Sequence, residues 1–342
     1  MAIAKLPAKV AVTDKRYGGP ILLNPGGPGG SGTQFALLAA KSIQYIVDAT
    51  SNPASAGKDA RFFDIIGFDP RGIGETEPLA TCISDPAAAW SWKLREIEEG
   101  ILGSSDAALG RLWAISHAFG SSCALVKGGE DDPDIKQYMA TAFVAQDMLR
   151  IVEKHAEYVT EQVLQATHDK GRQLVDCDSC SSDATPVPAE AKLQYWGFSY
   201  GTLLGSTFAS MFPNRIGRVV LDGVVNDEDY KHSLGNGSLT DNERAMEVFY
   251  SYCLLSGPQV CPLAGNDATS TVKIKERVQK IVRSLYHSPL SLASAEGPGI
   301  ITYSDIKSII FSILYQPLHG FELLGRLLPQ IEIGHGEYID WL

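Results

Sequence analysis

Ser199 lies between Gly197 and Gly201 in the stretch WGFSYGT, residues 196 to 202, and so fits G-x-S-x-G. That spacing suits a nucleophile on a tight turn from strand to helix, where the neighbours two residues away must be too small to clash. The apolar LQYW before it reads as the strand. The small residues Gly201, Gly205 and Ala209 after it read as a helix packed close to a sheet. The backbone N–H of Tyr200 opens that helix and is placed to donate to an oxyanion developing on a carbonyl under attack. The competing reading is a plain strand-to-helix turn.

A second element is NPGGPGGSG, residues 24 to 32. An oxyanion hole needs another backbone N–H, from a loop bare enough for its main chain to touch the substrate. Gly26 and Gly27 are the expected donors. A Walker phosphate loop is excluded because no G-K-[ST] follows. Gly27, Gly29 and Gly32 do match the dinucleotide spacing G-x-G-x-x-G, with Asp69 as the acid that would follow. The prolines inside the loop make this the poorer account. A third turn, DPRGIG, carries Asp69 and Arg71, expected to pair internally and brace the site rather than react.

These turns require strands ahead of them. GGPILLN (Gly18–Asn24), FFDIIGFD (Phe62–Asp69), LQYW (Leu193–Trp196) and RVVLDGV (Arg218–Val224) read as buried-type strands. Helical stretches at about 33–48, 141–156 or beyond and 202–212 alternate with them. The fold class is therefore α/β, with a mostly parallel sheet flanked by helices, and all three glycine-rich turns at the carboxyl ends of strands. MAIAKLPAKVAV at the start reads as a further strand, without the layout of a signal peptide. The chain is then cytosolic or begins short of its true start. A polar, proline-bearing insertion occupies about 168–190. From Asp227 onward the pattern turns helical, giving an expected core over 1–226 and a cap over 227–342.

A net charge of -11 on 342 residues argues against nucleic-acid or anionic-membrane partners, which need clustered cations. Of the six cysteines, Cys82 and Cys123 flank one helical region, Cys253 and Cys261 close a short loop, and Cys177 and Cys180 stand in CDSC. Disulfides 82/123 and 253/261 are the expectation, against buried free thiols, while the spacing of Cys177, Cys180 and the rest fits no zinc site. The sequon Asn236-Gly237-Ser238 fits secretion.

With the motifs in place, LNPGGPGGSG, then GFDPRGIGETEP, then YWGFSYGTLLGSTFASMFPNRIGRVVLDGV resemble the α/β-hydrolase family of prolyl iminopeptidases and secreted tripeptidyl aminopeptidases. The resemblance covers residues 18 to 226 and more loosely the cap. It implies an α/β-hydrolase fold with a helical cap, and a serine peptidase that removes short N-terminal pieces. It implies Ser199 as nucleophile, Gly27 and Tyr200 as oxyanion donors, a peptide or small acyl substrate, no cofactor, no metal and an extracellular location. In that fold the acid and then the base follow the nucleophile on later loops. Of the seven histidines, His117, His155 and His168 precede the serine, and His232, His287 and His319 fall in the cap. His335 is the one late candidate, and its surroundings resemble the family's cap. Asp222 follows a strand, but in relatives this aspartate is structural. The sequence thus reads as truncated at both ends, without early strands and without acid and base. Two other readings stand beside the aminopeptidase: an esterase or lactonase on the same scaffold, and an inactive chain retaining only the nucleophile half.

Overall fold

A computed structural model describes residues 1–50, 52–126, 134–171, 190–232, 235–294 and 297–334. The insertion residues 172–189, with Cys177 and Cys180, lie outside the described residues, as does His335. The chain divides into two compact units: Met1–Thr81 with Lys127–Gly237, and Cys82–Val126 with Ser238–Leu342. The segment 82–126 thus groups with the second unit, a link that no local pattern announces.

The first unit is built on β1 (Ile3–Leu6), β2 (Tyr17–Asn24), β3 (Phe62–Phe68), β4 (Leu193–Phe198) and β5 (Ile216–Asp222), in sheet order β1-β3-β2-β4-β5. The last four run parallel, and β1 pairs antiparallel with β3. Helices α1 (Gly32–Val47), α4 (Thr141–Gly171) and α5 (Tyr200–Met211) cover the sheet. Side chains alternate along a strand, so neighbours serve opposite layers. Ile21, Leu23, Phe63 and Ile65 pack against Ala36, Ala40 and Ile43 of α1. Leu22, Ile66, Phe68, Leu193 and Tyr195 pack instead against Val144, Ala145, Met148 and Val152 of α4 and Leu204 and Phe208 of α5. Both faces of the central strands are thereby buried, which is why they read as continuous apolar runs. At the end of the sheet β5 pairs, among the described residues, with β4 alone, and Val220 and Leu221 stay 46% and 36% exposed.

One buried carboxylate ties several of these elements together. Asp64 of β3 accepts hydrogen bonds from the Ala8 amide (2.7 Å) and the Tyr17 hydroxyl (2.8 Å), and meets His155 Nε2 of α4 at 3.1 Å. Lys5 of β1 stands 3.5 Å away. Burial alone would push this carboxyl up. The His155, Ala8 and Tyr17 bonds and the Lys5 charge outweigh it and hold the group at about 2.

The second unit contains α2 (Pro86–Glu99) and α3 (Ala108–Leu125), and the Cys82–Cys123 disulfide ties the segment before α2 to the end of α3. The short α6 (Asp227–Lys231) still belongs to the first unit. After it come α7 (Asn242–Val260), α8 (Thr271–His287), the antiparallel hairpin β6 (Leu290–Ser294) and β7 (Gly297–Ile301), α9 (Tyr303–Leu314) and α10 (Pro317–Glu332). The hairpin corrects the expectation of an all-helical tail. Ile274, Val278, Ile281 and Leu285 of α8 recur every three or four residues and form one buried stripe. They join Phe249, Leu324 and Leu328 in a separate core, beside the Cys253–Cys261 disulfide. Both expected cysteine pairs are bonded. No helix among the described residues is long and apolar enough to cross a membrane.

Candidate active site

Ser199 follows β4 directly and stands at the N-cap of α5 with φ 53° and ψ -124°. Among the described residues it is the one non-glycine residue with positive φ. An L-residue held there costs on the order of 1–3 kcal/mol, so the surroundings must over-determine it. They do so through the main chain. The Ser199 N–H donates to the Asp222 carbonyl at 3.0 Å, and the Ser199 carbonyl accepts from the amide and hydroxyl of Thr202 at 2.8 and 2.7 Å. The Thr202 hydroxyl in turn accepts from Val225 N at 3.0 Å, pinning the strand exit of β5 to the same turn. A serine at a helix N-cap ordinarily turns its hydroxyl back to bond the first amides. Ser199 makes no such cap bond, and the residue is exposed.

The glycines flanking the turn are filled by neighbours. A Cβ on Gly201 would sit 2.8 Å from the Asn24 carbonyl oxygen and 2.9 Å from its Oδ1. Beneath the turn, Tyr195 donates its hydroxyl to the Gly201 carbonyl at 2.7 Å. Parallel pairing of Asn24 with Gly197 brings the end of β2 beside the end of β4, and this register delivers the glycine-rich loop to Ser199.

In that loop Gly26 has φ 93°, and a Cβ there would collide with the Phe198 carbonyl and lie 2.9 Å from Ser199 Cβ. Gly26 is therefore a contact of main chain on main chain. Its N–H, however, is held by Asn24 Oδ1 at 2.9 Å, so of the two expected donors Gly26 is already engaged. Gly27, with φ 113°, is the next amide along and makes no hydrogen bond among the described residues. Tyr200 N is the first amide of α5 and has no acceptor within its own helix. Two open amides thus belong to the two segments that meet at the serine. Asn24, Tyr195 and Thr202 were not anticipated. An asparagine two residues before a glycine run was the available hint.

Asp69 and Arg71 do brace the neighbourhood, though with other partners than each other. Buried Asp69 accepts from Ser31 Oγ (2.8 Å), Thr33 N (2.9 Å), Thr33 Oγ1 (3.0 Å) and Glu75 N (2.9 Å). Burial pushes its carboxyl up, but the Thr33 and Glu75 amides and the two hydroxyls outweigh it and bring it below the usual range. It therefore anchors the start of α1, and no dinucleotide role is left for it. Arg71 forms a two-pronged pair with Asp147 of α4 at 2.6 and 2.7 Å. Beside the serine, the Tyr200 hydroxyl meets Thr141 Oγ1 at 2.8 Å and its ring lies 5.6 Å from that of Tyr230.

No described side chain hydrogen-bonds to Ser199 Oγ. His155 is committed to Asp64 and Tyr17, and His232 faces Glu228 at 3.4 Å. Asp222 gives its carbonyl to Ser199 and accepts from Trp196 Nε1 at 3.3 Å through its carboxylate. Those are supporting contacts, in keeping with a structural aspartate.

No family model matches the chain. It is 27% identical over 208 residues to a tripeptidyl aminopeptidase of Streptomyces coelicolor, covering 61% of this chain and 28% of that protein. It is 25% identical over 307 residues to the serine protease Hip1 of Mycobacterium tuberculosis, covering 87% of this chain and 47% of that one. An 86-residue stretch is 37% identical to carboxylesterase B of the same organism, covering 25% of this chain and 13% of that protein. The chain spans between about an eighth and about half of the length of these curated relatives. Their names, peptidase, protease and esterase, suggest a serine hydrolase family.

Proposed function

We propose that this chain carries the nucleophile and oxyanion hole of a serine hydrolase with an α/β-hydrolase fold. The activity is that of an aminopeptidase releasing short N-terminal peptides, and the location is extracellular. Ser199 Oγ attacks the scissile carbonyl, the Gly27 and Tyr200 amides hold the oxyanion, and the C–N bond breaks to leave an acyl-enzyme that water then opens. The observation that carries this reading is the strained backbone at Ser199. A left-handed serine whose hydroxyl caps nothing, with a glycine loop seated on its turn, has no evident structural purpose of its own. The two disulfides support an oxidising compartment.

The proton leaving Ser199 needs an acceptor, and that role goes to no described residue. A second reading, an esterase, is supported by the stretch shared with carboxylesterase B. Fluorophosphonate labelling of the chain, compared with Ser199→Ala, tests the nucleophile. Labelling that survives the substitution would overturn the assignment, and a folded chain that takes no label supports the inactive reading. Tripeptide amides against p-nitrophenyl esters then separate peptidase from esterase.

A further inference from the structure

At the amino ends of the parallel strands, away from the serine, the sheet holds a cavity of about 350 Å³. Three cations line it, each entering from a different strand. Arg61 immediately precedes β3, Lys192 immediately precedes β4, and Arg218 is the third residue of β5. Gln194, Gly18 and Gly217 contribute the floor, where Gln194 Nε2 donates to the Gly18 carbonyl at 2.8 Å. From Gln194 to Ser199 is five strand residues, about 16 Å at the usual rise of a strand, so this cavity is distinct from the serine site.

What marks the cavity is its charge. The chain carries -11 overall, and most lysines and arginines near the sheet find carboxylates: Lys5 with Asp64, Lys9 with Asp48, Arg16 with Asp14, Arg71 with Asp147. Arg61, Lys192 and Arg218 form no ion pair among the described residues. Arg61 donates to the Ala60 carbonyl at 2.9 Å and to no carboxylate. No aspartate or glutamate lines the cavity. Three like charges converging on one concave space without a counter-charge repel one another, and an anion placed between them relieves all three repulsions together. Guanidinium groups pair with two oxygens of one anion at a time, which favours phosphate oxygens over halide. The volume lies at the small end of the range for small-molecule pockets, about 300–1,000 Å³.

We propose that this cavity binds a compact, multiply charged oxyanion, a soluble phosphate monoester or diphosphate, through Arg61, Lys192 and Arg218. The site is independent of Ser199 and of the hydrolase reading. Inorganic pyrophosphate titrated by calorimetry at low ionic strength, with phosphatidylglycerol vesicles as a parallel arm, tests it. The wild-type chain and Ser199→Ala are expected to bind pyrophosphate equally. Arg61→Ala, Lys192→Ala and Arg218→Ala are each expected to weaken binding roughly tenfold, as loss of one charged hydrogen-bond donor does. All three side chains are exposed, so circular dichroism should show the variants folded. Lys41→Ala, on the exposed face of α1, controls for diffuse charge and should leave binding unchanged. Absence of pyrophosphate binding by the wild type would overturn the proposal. So would equal weakening by Lys41→Ala, or binding to vesicles without binding to pyrophosphate.

Discussion

At the scale of single residues, Ser199 sets stability against reactivity. Its backbone occupies a region that glycine enters freely, so Ser199→Gly should relieve strain and raise stability by about 1 kcal/mol, while Ser199→Ala keeps the strain. Thermal melts of the two variants check this, and both should be blank in fluorophosphonate labelling. A rise in melting temperature for glycine alone is the expected signature; equal melts would mean the turn carries no such cost. Gly26→Ala is the complementary test. Its methyl group would meet the Phe198 carbonyl and Ser199 Cβ, so the loop must back away and take the Gly27 amide with it. Labelling should slow by a factor of about 100 or more, the usual loss for one oxyanion donor, with secondary structure intact.

Between elements, buried carboxylates do the joining. Asp64 links Lys5, Ala8, Tyr17 and His155, and its carboxyl is held at about 2 against an ordinary 3.8. A depressed carboxyl stabilises the fold fully above about pH 4 and loses that contribution as pH falls through about 2. Asp64→Asn should therefore cost about 2 kcal/mol at pH 7 and less and less as the pH is lowered to 2, read by urea unfolding at each pH. A gap that stays constant with pH would refute the linkage. The same elements show how much the sequence disclosed. The parallel strands and α1, α4 and α5 were legible because strands buried on both faces read as apolar runs, and because each glycine-rich turn announces where its strand stops. Ser199, Tyr200 and the glycine loop were legible for the same reason. Asn24 and Tyr195 were not, because their roles depend on which strand lies next to which. The hairpin β6–β7 was hidden too: LSLAS and GPGII are short, and serine, glycine and proline interrupt any clear alternation. Nor does local pattern place 82–126 with the second unit. That link rests on contacts such as Ile101 N to Ser304 Oγ at 3.2 Å, across 203 residues.

For the whole molecule, the two disulfides differ in what they constrain. Cys82–Cys123 spans 41 residues and Cys253–Cys261 spans 8. Loop-closure entropy assigns them about 4 and about 2.5 kcal/mol respectively. Cys82→Ser with Cys123→Ser should lower the melting temperature of the second unit and leave Ser199 labelling unchanged, since the serine turn is braced within the first. Loss of labelling at a temperature where the first unit remains folded would contradict that separation. The open side of β5 has a colloidal consequence as well. Among the described residues no strand pairs with that side, beside Val220 and Leu221, and such a border readily templates another strand. At low ionic strength a charge of -11 keeps two copies from approaching within strand-pairing distance. At 0.15 M salt the repulsion decays over about 8 Å and that barrier fades. Light scattering of concentrated protein should therefore grow as salt is added, and Val220→Lys should suppress the growth: shelf life, for this chain, is governed by a single strand and the buffer around it.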